Sequence, residues 1–275
     1  MNANDQSSED VLRARFYDWL ISNGAKFPKI KWPSMETASG IRGAIATETI
    51  ETGEHMIEIP IHLMMSPPAA FADPEIGVEI KAVEDMLNGD LLLTVYIMHE
   101  LRKGEKSFYS PFLSILPEPG NISEWKEEEL AELQDKTLII RARNRTHNIK
   151  TMYSRTISML HNRYPDKFPK DEFTYERFKF SFNSVQARAF GRRIPWTAMV
   201  PFADCLNHSN VQTKYDYNID NNQMFRLFPT GGNLYGKGYE VYNSYGRRPN
   251  ENLLMDYGFA ILDNEWDEVS SDRVE

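Results

Sequence analysis

Apolar side chains recur every three or four positions in several stretches of the chain, a spacing that places them on one face of an α-helix. The pattern predicts helices that begin near Val11, Leu91, Glu124, Thr137 and Phe178. The pair Asn23-Gly24 is typical of a helix end and closes the first of these helices. Residues 1–8 are polar, and a disordered tail is predicted before the first helix.

Residues 41–60 have the pattern of a β-hairpin. Residues 41–46 lead from a glycine-bearing turn into a strand, and Thr52-Gly53 marks a tight turn. Residues 55–59 then form the returning strand, which Pro60 ends because proline lacks the N–H that a continuing strand needs. The sequence therefore predicts that these two strands pair with each other.

β character returns after the helical region. Residues 215–218 and 224–228 flank Asp220-Asn221-Asn222, and this arrangement predicts a second hairpin. Residues 239–242 are predicted as one more short strand. The sequence contains no internal repeat and no low-complexity linker.

The composition narrows the classes of protein to which the chain can belong. With 275 residues, 41% of them hydrophobic, the chain can form one large domain or one domain with an insertion. A net charge of −9 and a pI of about 5.3 argue against a general nucleic-acid binder, which would usually be basic. Residues 137–164 do carry Lys and Arg without an acid, but a solvated helix face is favoured there over a nucleic-acid surface.

Cys205 is the only cysteine, so neither a disulfide framework nor a cysteine-rich zinc site can form. The polar N-terminal residues do not form a secretory signal, and no apolar run approaches the roughly 18 residues that a membrane helix needs. These features favour a soluble protein of a reducing compartment, the cytoplasm or the nucleus, without a membrane partner.

Two blocks in the last third of the chain carry the chemistry. The first reads Met-Val-Pro-Phe-Ala-Asp-Cys-Leu-Asn-His-Ser over residues 199–209. The second reads Gly-Tyr-Glu-Val-Tyr-Asn-Ser-Tyr-Gly over residues 238–246 and is followed by Asp-Tyr-Gly-Phe at 256–259. In this order the blocks resemble the cofactor-binding core of SET-domain protein methyltransferases of the Rubisco large-subunit methyltransferase type. The resemblance covers about residues 24–262.

The resemblance implies an α+β fold, in which short curved SET-domain sheets and a threaded C-terminal segment are split by a mostly helical insertion. Its boundaries predict an N-terminal tail and helix over 1–23, the first part of the SET domain over 24–65 and the insertion over 66–195. The second part of the SET domain follows over 196–262, and a tail over 263–275. Members of the family continue into a helical substrate-binding domain, which is expected to be absent from this chain.

The resemblance also implies S-adenosylmethionine as the cofactor. The positions that match the family's cofactor contacts are Gly40, Ile41, Arg42, Arg188, Asp204, Asn207, His208, Tyr245, Tyr257 and Phe259. By resemblance, Asn207 binds the methionine end, the backbone at His208 binds adenine, and Arg188 pairs with the cofactor carboxylate. Asp204 matches an acid of the cofactor site, although a helix cap or an ion-pair partner would use the same side chain.

Tyr245 matches the family's catalytic tyrosine. Methyl transfer to lysine requires the neutral amine, because the ammonium form, with a pKa of about 10.4, has no lone pair. A tyrosine hydroxyl with an ordinary pKa near 10 is a poor base at neutral pH, so orientation and electrostatic stabilisation are the roles expected of Tyr245. Tyr257 and Phe259 are expected to border the cofactor and the lysine channel, where aromatic faces attract a cation.

The predicted acceptor is a lysine side chain of a protein partner. The candidate substrate-binding residues are Phe190, Ala203 and Tyr257. By resemblance, the actin-histidine branch has an asparagine and a tryptophan where this chain has Phe190 and Ala203, and an aromatic wall with a small residue suits an aliphatic chain. Histidine methylation and a catalytically silent SET-like binding module stay open as alternatives, although the presence of Tyr245 and Asn207 favours an enzyme.

Asp204, His208 and Ser209 also raise the possibility of a hydrolase or a metal site. No Gly-x-Ser-x-Gly elbow is present, and neighbours in sequence do not by themselves build a catalytic triad. Asp204 and His208 have the i, i+4 spacing of one helical turn, but no third ligand accompanies them. Neither alternative is favoured, and no metal is predicted.

Overall fold

The chain divides into two compact units. The structure, a computed structural model, describes residues 3–35, 37, 41–191, 194–218 and 223–268. Unit 1 contains Met1–Pro117 and Arg188–Ser244, and unit 2 contains Glu118–Ala187 and Tyr245–Glu275. The first part of the predicted insertion, residues 66–117, therefore belongs to unit 1. None of the helices in the described ranges combines the length and the hydropathy that crossing a membrane requires.

Unit 1 combines helices with strands. Its helices are α1 (Ala3–Ser22), α2 (Pro67–Phe71), α3 (Gly77–Lys81), α4 (Gly89–Lys103) and α5 (Ser110–Leu113). Its strands are β1 (Ile30–Ser34), β2 (Gly43–Ala46), β3 (Ile57–Pro60), β4 (Thr213–Asn218) and β5 (Met224–Pro229).

The strands form two small antiparallel sheets. β3, β5 and β4 lie side by side in that order, with Ile57 opposite Leu227 and Tyr217 opposite Phe225. The pairing of β4 with β5 confirms the second predicted hairpin, whose turn, residues 220–222, lies outside the described residues. β1 and β2 form a separate two-stranded sheet.

The first predicted hairpin is wrong, although both of its strands exist. β2 pairs with β1, a strand that the sequence pattern did not indicate, whereas β3 pairs with β5. All four residues of β2 are buried, so its composition carries no information about which neighbour it joins. The strand predicted over 239–242 is also wrong, because Glu240 makes only an isolated bridge with Ile45.

α1 begins earlier than the pattern predicts. Its first residue is Ala3, so the tail expected over residues 1–8 is wrong from residue 3 onward. Phe16 and Leu20 are fully buried on the predicted apolar face. The helix ends as predicted, because Gly24 takes a left-handed φ of +88° and Asn23 Nδ2 donates to the carbonyl of Trp19 at 2.7 Å.

α4 confirms the most strongly apolar of the predicted helices. It also carries ionisable side chains that are buried in unit 1. His99 and Glu100 are 0% and 1% exposed. Lys103 Nζ lies 3.1 Å from Asp73 Oδ2 and 2.6 Å from Glu100 Oε1, so one ammonium group compensates both carboxylates. Among the described residues, Asp73, His99 and Glu100 lie close enough together to hold a metal ion, but Lys103 already contacts both acids.

His99 predicts a pH dependence of stability. Burial lowers the pKa of His99 to about 4 from an ordinary 6.5, and attraction to Asp73, 3.3 Å away, does not reverse the shift. Between these values the unfolded chain binds a proton that the folded chain excludes, so the free energy of unfolding falls as the pH falls. From pH 7 to pH 5 the loss should be roughly 2 kcal/mol, measurable by urea denaturation.

The control for this prediction is a second histidine. His99→Leu should lack this part of the pH dependence, whereas His147→Leu, at an exposed position of the chain, should retain it. An equal dependence in the wild type and in His99→Leu would assign the effect to other titrating groups.

Unit 2 is helical in the part that the structure describes. Its helices are α6 (Glu127–Ala131), α7 (Lys136–Arg163), α8 (Tyr175–Arg188, of which Arg188 belongs to unit 1) and α9 (Asn250–Tyr257). Residues of α6, α7 and α9 form a hydrophobic core with the preceding turn, made of Ile122, Leu130, Leu138, Ala142 and Met255. α6 is shorter than the helix predicted from residue 124 to 134, because Ile122–Glu124 form a separate 3-10 turn.

Three basic residues of α7, Arg141, Arg143 and Arg145, have acidic partners within unit 2. Arg143 pairs with Glu127 at 2.6 Å, and Arg145 pairs with Asp256 at 2.7 Å. These pairs compensate part of the positive charge of residues 137–164. They support the interpretation of α7 as a solvated helix face.

Candidate active site

Asn207 is held by two hydrogen bonds in unit 1. Its Nδ2 donates to the backbone carbonyl of Arg42 at 3.0 Å and to Oε1 of Glu240 at 2.8 Å. The hydroxyl of Tyr242 donates to Oε2 of the same glutamate at 2.8 Å. Burial, together with the Glu240 carboxylate, raises the pKa of Tyr242 to about 12, so its hydroxyl stays protonated and remains a donor at neutral pH.

Gly43 lets the backbone approach this group closely. A Cβ atom at position 43 would lie 2.4 Å from Glu240 Oε1 and 2.8 Å from Asn207 Nδ2, distances at which one of the groups would have to move. Gly43 is the first residue of β2, and Glu240 lies beside that strand through its bridge with Ile45. The buried acid can therefore face Asn207 because position 43 has no side chain.

The predicted cofactor loop before β2 is described only in part. Gly40 lies outside the described residues. Ile41 is 63% exposed, and its carbonyl accepts a hydrogen bond from the Thr37 hydroxyl at 2.5 Å. The Arg42 guanidinium lies over the ring of Trp32, 5.6 Å from the ring centroid. Burial lowers the pKa of Arg42. In this loop it is the main chain of Arg42, rather than its charge, that contacts Asn207.

Arg188 and Asp204 form a partly buried ion pair in unit 1. Arg188 Nη1 donates to the backbone carbonyl of Asp204 at 3.0 Å and to its Oδ2 at 3.3 Å. The Asp204 side chain is fully buried, and burial raises the pKa of this carboxyl although Arg188 opposes the shift. Because Nη1 is engaged by Asp204, the other N–H groups of Arg188 are the ones that could bind an anion.

His208 lies beside Asn243 in a parallel bridge. The Nδ1 atom of His208 is 3.3 Å from the carbonyl of Asn243, and the N–H of Asn243 donates to the carbonyl of Asn207 at 2.9 Å. Ser209 N–H donates to the same Asn243 carbonyl at 3.3 Å. The backbone of the first motif block therefore lies against the second motif block within unit 1.

The helical spacing predicted for Asp204 and His208 is wrong. Asp204 lies in a single 3-10 turn, Ala203–Cys205, and Leu206 is already extended. The two side chains have different partners, since Asp204 contacts Arg188 and His208 faces a backbone carbonyl. Their i, i+4 spacing therefore does not place them on one helix face, and the arrangement favours neither a metal site nor a triad.

Three aromatic side chains of the predicted site cluster in unit 2. The ring centroid of Tyr245 lies 4.8 Å from that of Tyr257 and 6.5 Å from that of Phe259. Arg248 joins them, because its Nε donates to the carbonyl of Tyr245 at 3.1 Å and its guanidinium lies 5.6 Å from the centroid of Tyr257. A further hydrogen bond to Asp256 at 3.4 Å holds this arginine in place.

Gly258 fixes the chain direction between two of these rings. It ends α9 with a left-handed φ of +81°, and its N–H donates to the carbonyls of Leu253 and Leu254 at 3.1 Å. A Cβ atom at this position would lie 1.9 Å from the carbonyl oxygen of Gly120. Tyr257 and Phe259 therefore flank a position that requires glycine for two independent reasons.

No model of a known protein family matches the chain. It is 27% identical over 262 residues to the N-lysine methyltransferase SETD6 of Rattus norvegicus, covering 90% of this chain and 54% of the relative. It is 26% identical over 263 residues to the actin-histidine N-methyltransferase of Canis lupus familiaris, covering 91% of this chain and 43% of the relative.

Solved structures of Rubisco LSMT share the fold. The structure bound to AdoMet has a TM-score of 0.77 and 26% identity, covering 92% of this chain and 57% of that chain. The structure bound to sinefungin and monomethyllysine has a TM-score of 0.76 and 26% identity, covering 96% and 61%. The chain has the SET-domain fold of these Rubisco LSMT structures.

The SET-domain chain spans about half the length of the curated relatives it matches. Its small antiparallel sheets within a largely helical protein confirm the predicted α+β fold. The strands of the SET core come from two stretches of sequence, Met1–Pro117 and Arg188–Ser244, which fold together as unit 1.

Phe190 and Ala203 are buried in unit 1. Phe190 is 7% exposed, and its ring centroid lies 5.3 Å from that of Tyr215 and 5.1 Å from that of Phe225. Ala203 is fully buried. Both residues stabilise the core of the unit, and their contact with a substrate stays a prediction.

Glu240 is a residue of the SET core whose role the sequence motifs do not predict. An acid in a short strand is expected to face solvent, but Glu240 is only 8% exposed and needs internal partners. One sequence signal was present, because Tyr242 follows two positions later and lies on the same side of an extended segment. Nothing local in the sequence indicates that Gly43 and Asn207 complete the group.

Proposed function

We propose that this chain is an S-adenosylmethionine-dependent protein-lysine N-methyltransferase. The observation that carries the proposal is the fixed side chain of Asn207, held by Glu240 and the carbonyl of Arg42 within a SET core. The similarity to Rubisco LSMT structures with AdoMet, and with sinefungin and monomethyllysine, supports the cofactor and the acceptor. The rat relative, an N-lysine methyltransferase by name, supports the same reaction class.

The proposed reaction transfers one methyl group to an amine. S-Adenosylmethionine would supply an electrophilic methyl group on a sulfonium sulfur. The neutral lysine amine would attack the methyl carbon with its lone pair, while the carbon–sulfur bond breaks and its electron pair stays on sulfur. The lysine must lose its proton before the attack, and it leaves as a methylated ammonium. Because the attack is in line, orientation supplies much of the rate.

The side chains of each unit suit different parts of this reaction. In unit 1, the Asn207 amide can accept a hydrogen bond from the cofactor ammonium, and Arg188 can bind its carboxylate in a charge-assisted contact. In unit 2, Tyr245 would orient the amine or stabilise charge in the transition state. Tyr257 and Phe259 offer aromatic faces that attract a cation.

A histidine acceptor is the second candidate, because the actin-histidine N-methyltransferase of the dog is almost as similar as the lysine enzyme. Lysine is favoured because Phe190 is apolar and offers no polar partner to an imidazole. Incubation with methyl-labelled donor and cell extract, followed by mass spectrometric mapping, distinguishes the two. A labelled lysine supports the proposal and a labelled histidine the second candidate, whereas absence of donor binding and of label would indicate a silent binding module.

Asn207→Ala should weaken the binding of S-adenosylmethionine by about tenfold or more, because a hydrogen bond to a charged group contributes about 1.5–3 kcal/mol. The fold should be retained, since Asn207 is only half-buried. Titration calorimetry measures the affinity, with Asn148→Ala at an exposed position of α7 as the control. An unchanged affinity would count against placing the cofactor at Asn207.

A further inference from the structure

The orientation of the Asn207 amide follows from its two partners. The carbonyl oxygen of Arg42 and Oε1 of the Glu240 carboxylate can only accept hydrogen bonds. The amide nitrogen must therefore face both of them, and Oδ1 is directed elsewhere. On its remaining side, Asn207 presents an acceptor and not a donor.

Glu240 is itself held in one position. Its Oε2 is engaged by the hydroxyl of Tyr242 at 2.8 Å, which leaves Oε1 for Asn207. The carboxylate is 8% exposed, and the backbone at Gly43 lies against it. Turning the carboxylate away would leave buried polar atoms without partners, so the arrangement resists rotation.

We propose that Glu240 is a positioning residue that keeps the Asn207 amide in this single orientation and thereby selects a ligand with a primary ammonium group. The inference rests on the proposed function, in which that ammonium belongs to the amino acid end of S-adenosylmethionine. Glu240 acts through Asn207, whose Oδ1 accepts from the ammonium. A reversed amide would direct its own N–H groups at the ammonium, and two donors facing each other repel.

Glu240→Gln tests the inference, because glutamine keeps the shape but offers Asn207 either an oxygen or an N–H group. The probes are S-adenosylhomocysteine and its deaminated analogue, which keeps the adenosine, the sulfur and the carboxylate. Calorimetry should show about a tenfold loss of affinity for S-adenosylhomocysteine and less than about a twofold change for the analogue. The control Glu48→Gln removes the same charge at an exposed position of unit 1 and should change neither affinity.

Two further variants separate positioning from a general structural role. In an Asn207→Ala background, Glu240→Gln should not lower the affinity for S-adenosylhomocysteine any further, because the glutamate acts only through the Asn207 amide. Tyr242→Phe keeps the Glu240 carboxylate but removes the hydrogen bond to its Oε2. This variant should lower the affinity for S-adenosylhomocysteine by about two- to fivefold and leave the affinity for the deaminated analogue unchanged.

The outcomes separate the inference from the function on which it rests. A loss confined to the ligand with the amino group supports the inference, and an equal loss for both ligands, or for neither, overturns it. If Glu240→Gln does not fold, the affinities of Tyr242→Phe for the same two ligands test the inference instead. Failure of the wild-type chain to bind S-adenosylhomocysteine would overturn the proposed function, and the inference with it.

Discussion

Turnover of a Tyr245→Phe variant on a lysine substrate should fall by about 10²-fold or more, the effect of removing one preorganised donor from an active site. Affinity for S-adenosylmethionine should change little, because the phenyl ring still packs against Tyr257 and Phe259, at centroid distances of 4.8 and 6.5 Å. Measuring kcat by steady-state kinetics and donor affinity by calorimetry separates the two effects. A residue that only fills the core would leave both near their wild-type values.

The matched control is Tyr239→Phe, because Tyr239 is 71% exposed and lies in unit 1. Wild-type activity should rise into the alkaline range as more of the acceptor lysine becomes neutral, and Tyr245→Phe should keep this rise. A parallel loss of donor binding would make Tyr245 chiefly a cofactor contact. Full activity of Tyr245→Phe would remove it from the mechanism and direct the search to Tyr242 or Tyr257.

Gly258→Ala should lower the free energy of unfolding by roughly 3 kcal/mol, which is large for a single substitution. The left-handed φ of +81° costs a residue with a side chain about 1–2 kcal/mol. The new methyl group would also lie 1.9 Å from the carbonyl oxygen of Gly120, and overpacking of this kind costs about 1–3 kcal/mol. Urea denaturation measures the change.

Gly53→Ala is the control for this prediction. Gly53 has nearly the same φ, +85°, but no atom of the described chain lies within 4 Å of the position that its Cβ would take. Gly53→Ala should therefore lower the free energy of unfolding by only about 1 kcal/mol, the cost of the backbone conformation alone. An equal loss in the two variants would contradict a role for the contact with Gly120.

The long helices follow from the sequence, whereas the pairing of the strands does not. α4 and α7 are marked by apolar spacing over several turns, and that signal is local. β2 and β3 are neighbours in sequence, yet their partners are β1 and β5. Because β2 is buried throughout, no alternation marks its register, and the choice of partner depends on the core as a whole.

In the candidate site, the sequence predicts the residues but not the contacts between them. Motif resemblance predicts Asn207, Arg188 and Tyr245, because these residue types recur at fixed places in the SET family. It does not predict that Arg188 contacts Asp204, or that Glu240 holds Asn207. These contacts join residues that are 16 and 33 positions apart, and the second of them needs the space that Gly43 leaves.

β3 leaves the ribosome long before the strand that pairs with it. Ile57 pairs with Leu227 and Ile59 with Phe225, and at about 5–20 residues per second the intervening chain takes on the order of ten to thirty seconds to synthesise. Ile57 and Ile59, both fully buried in the finished protein, cannot pair with β5 during that time. An apolar strand with an open edge invites association with other chains. The native partner of β3 therefore becomes available only after residues 224–229 have been synthesised.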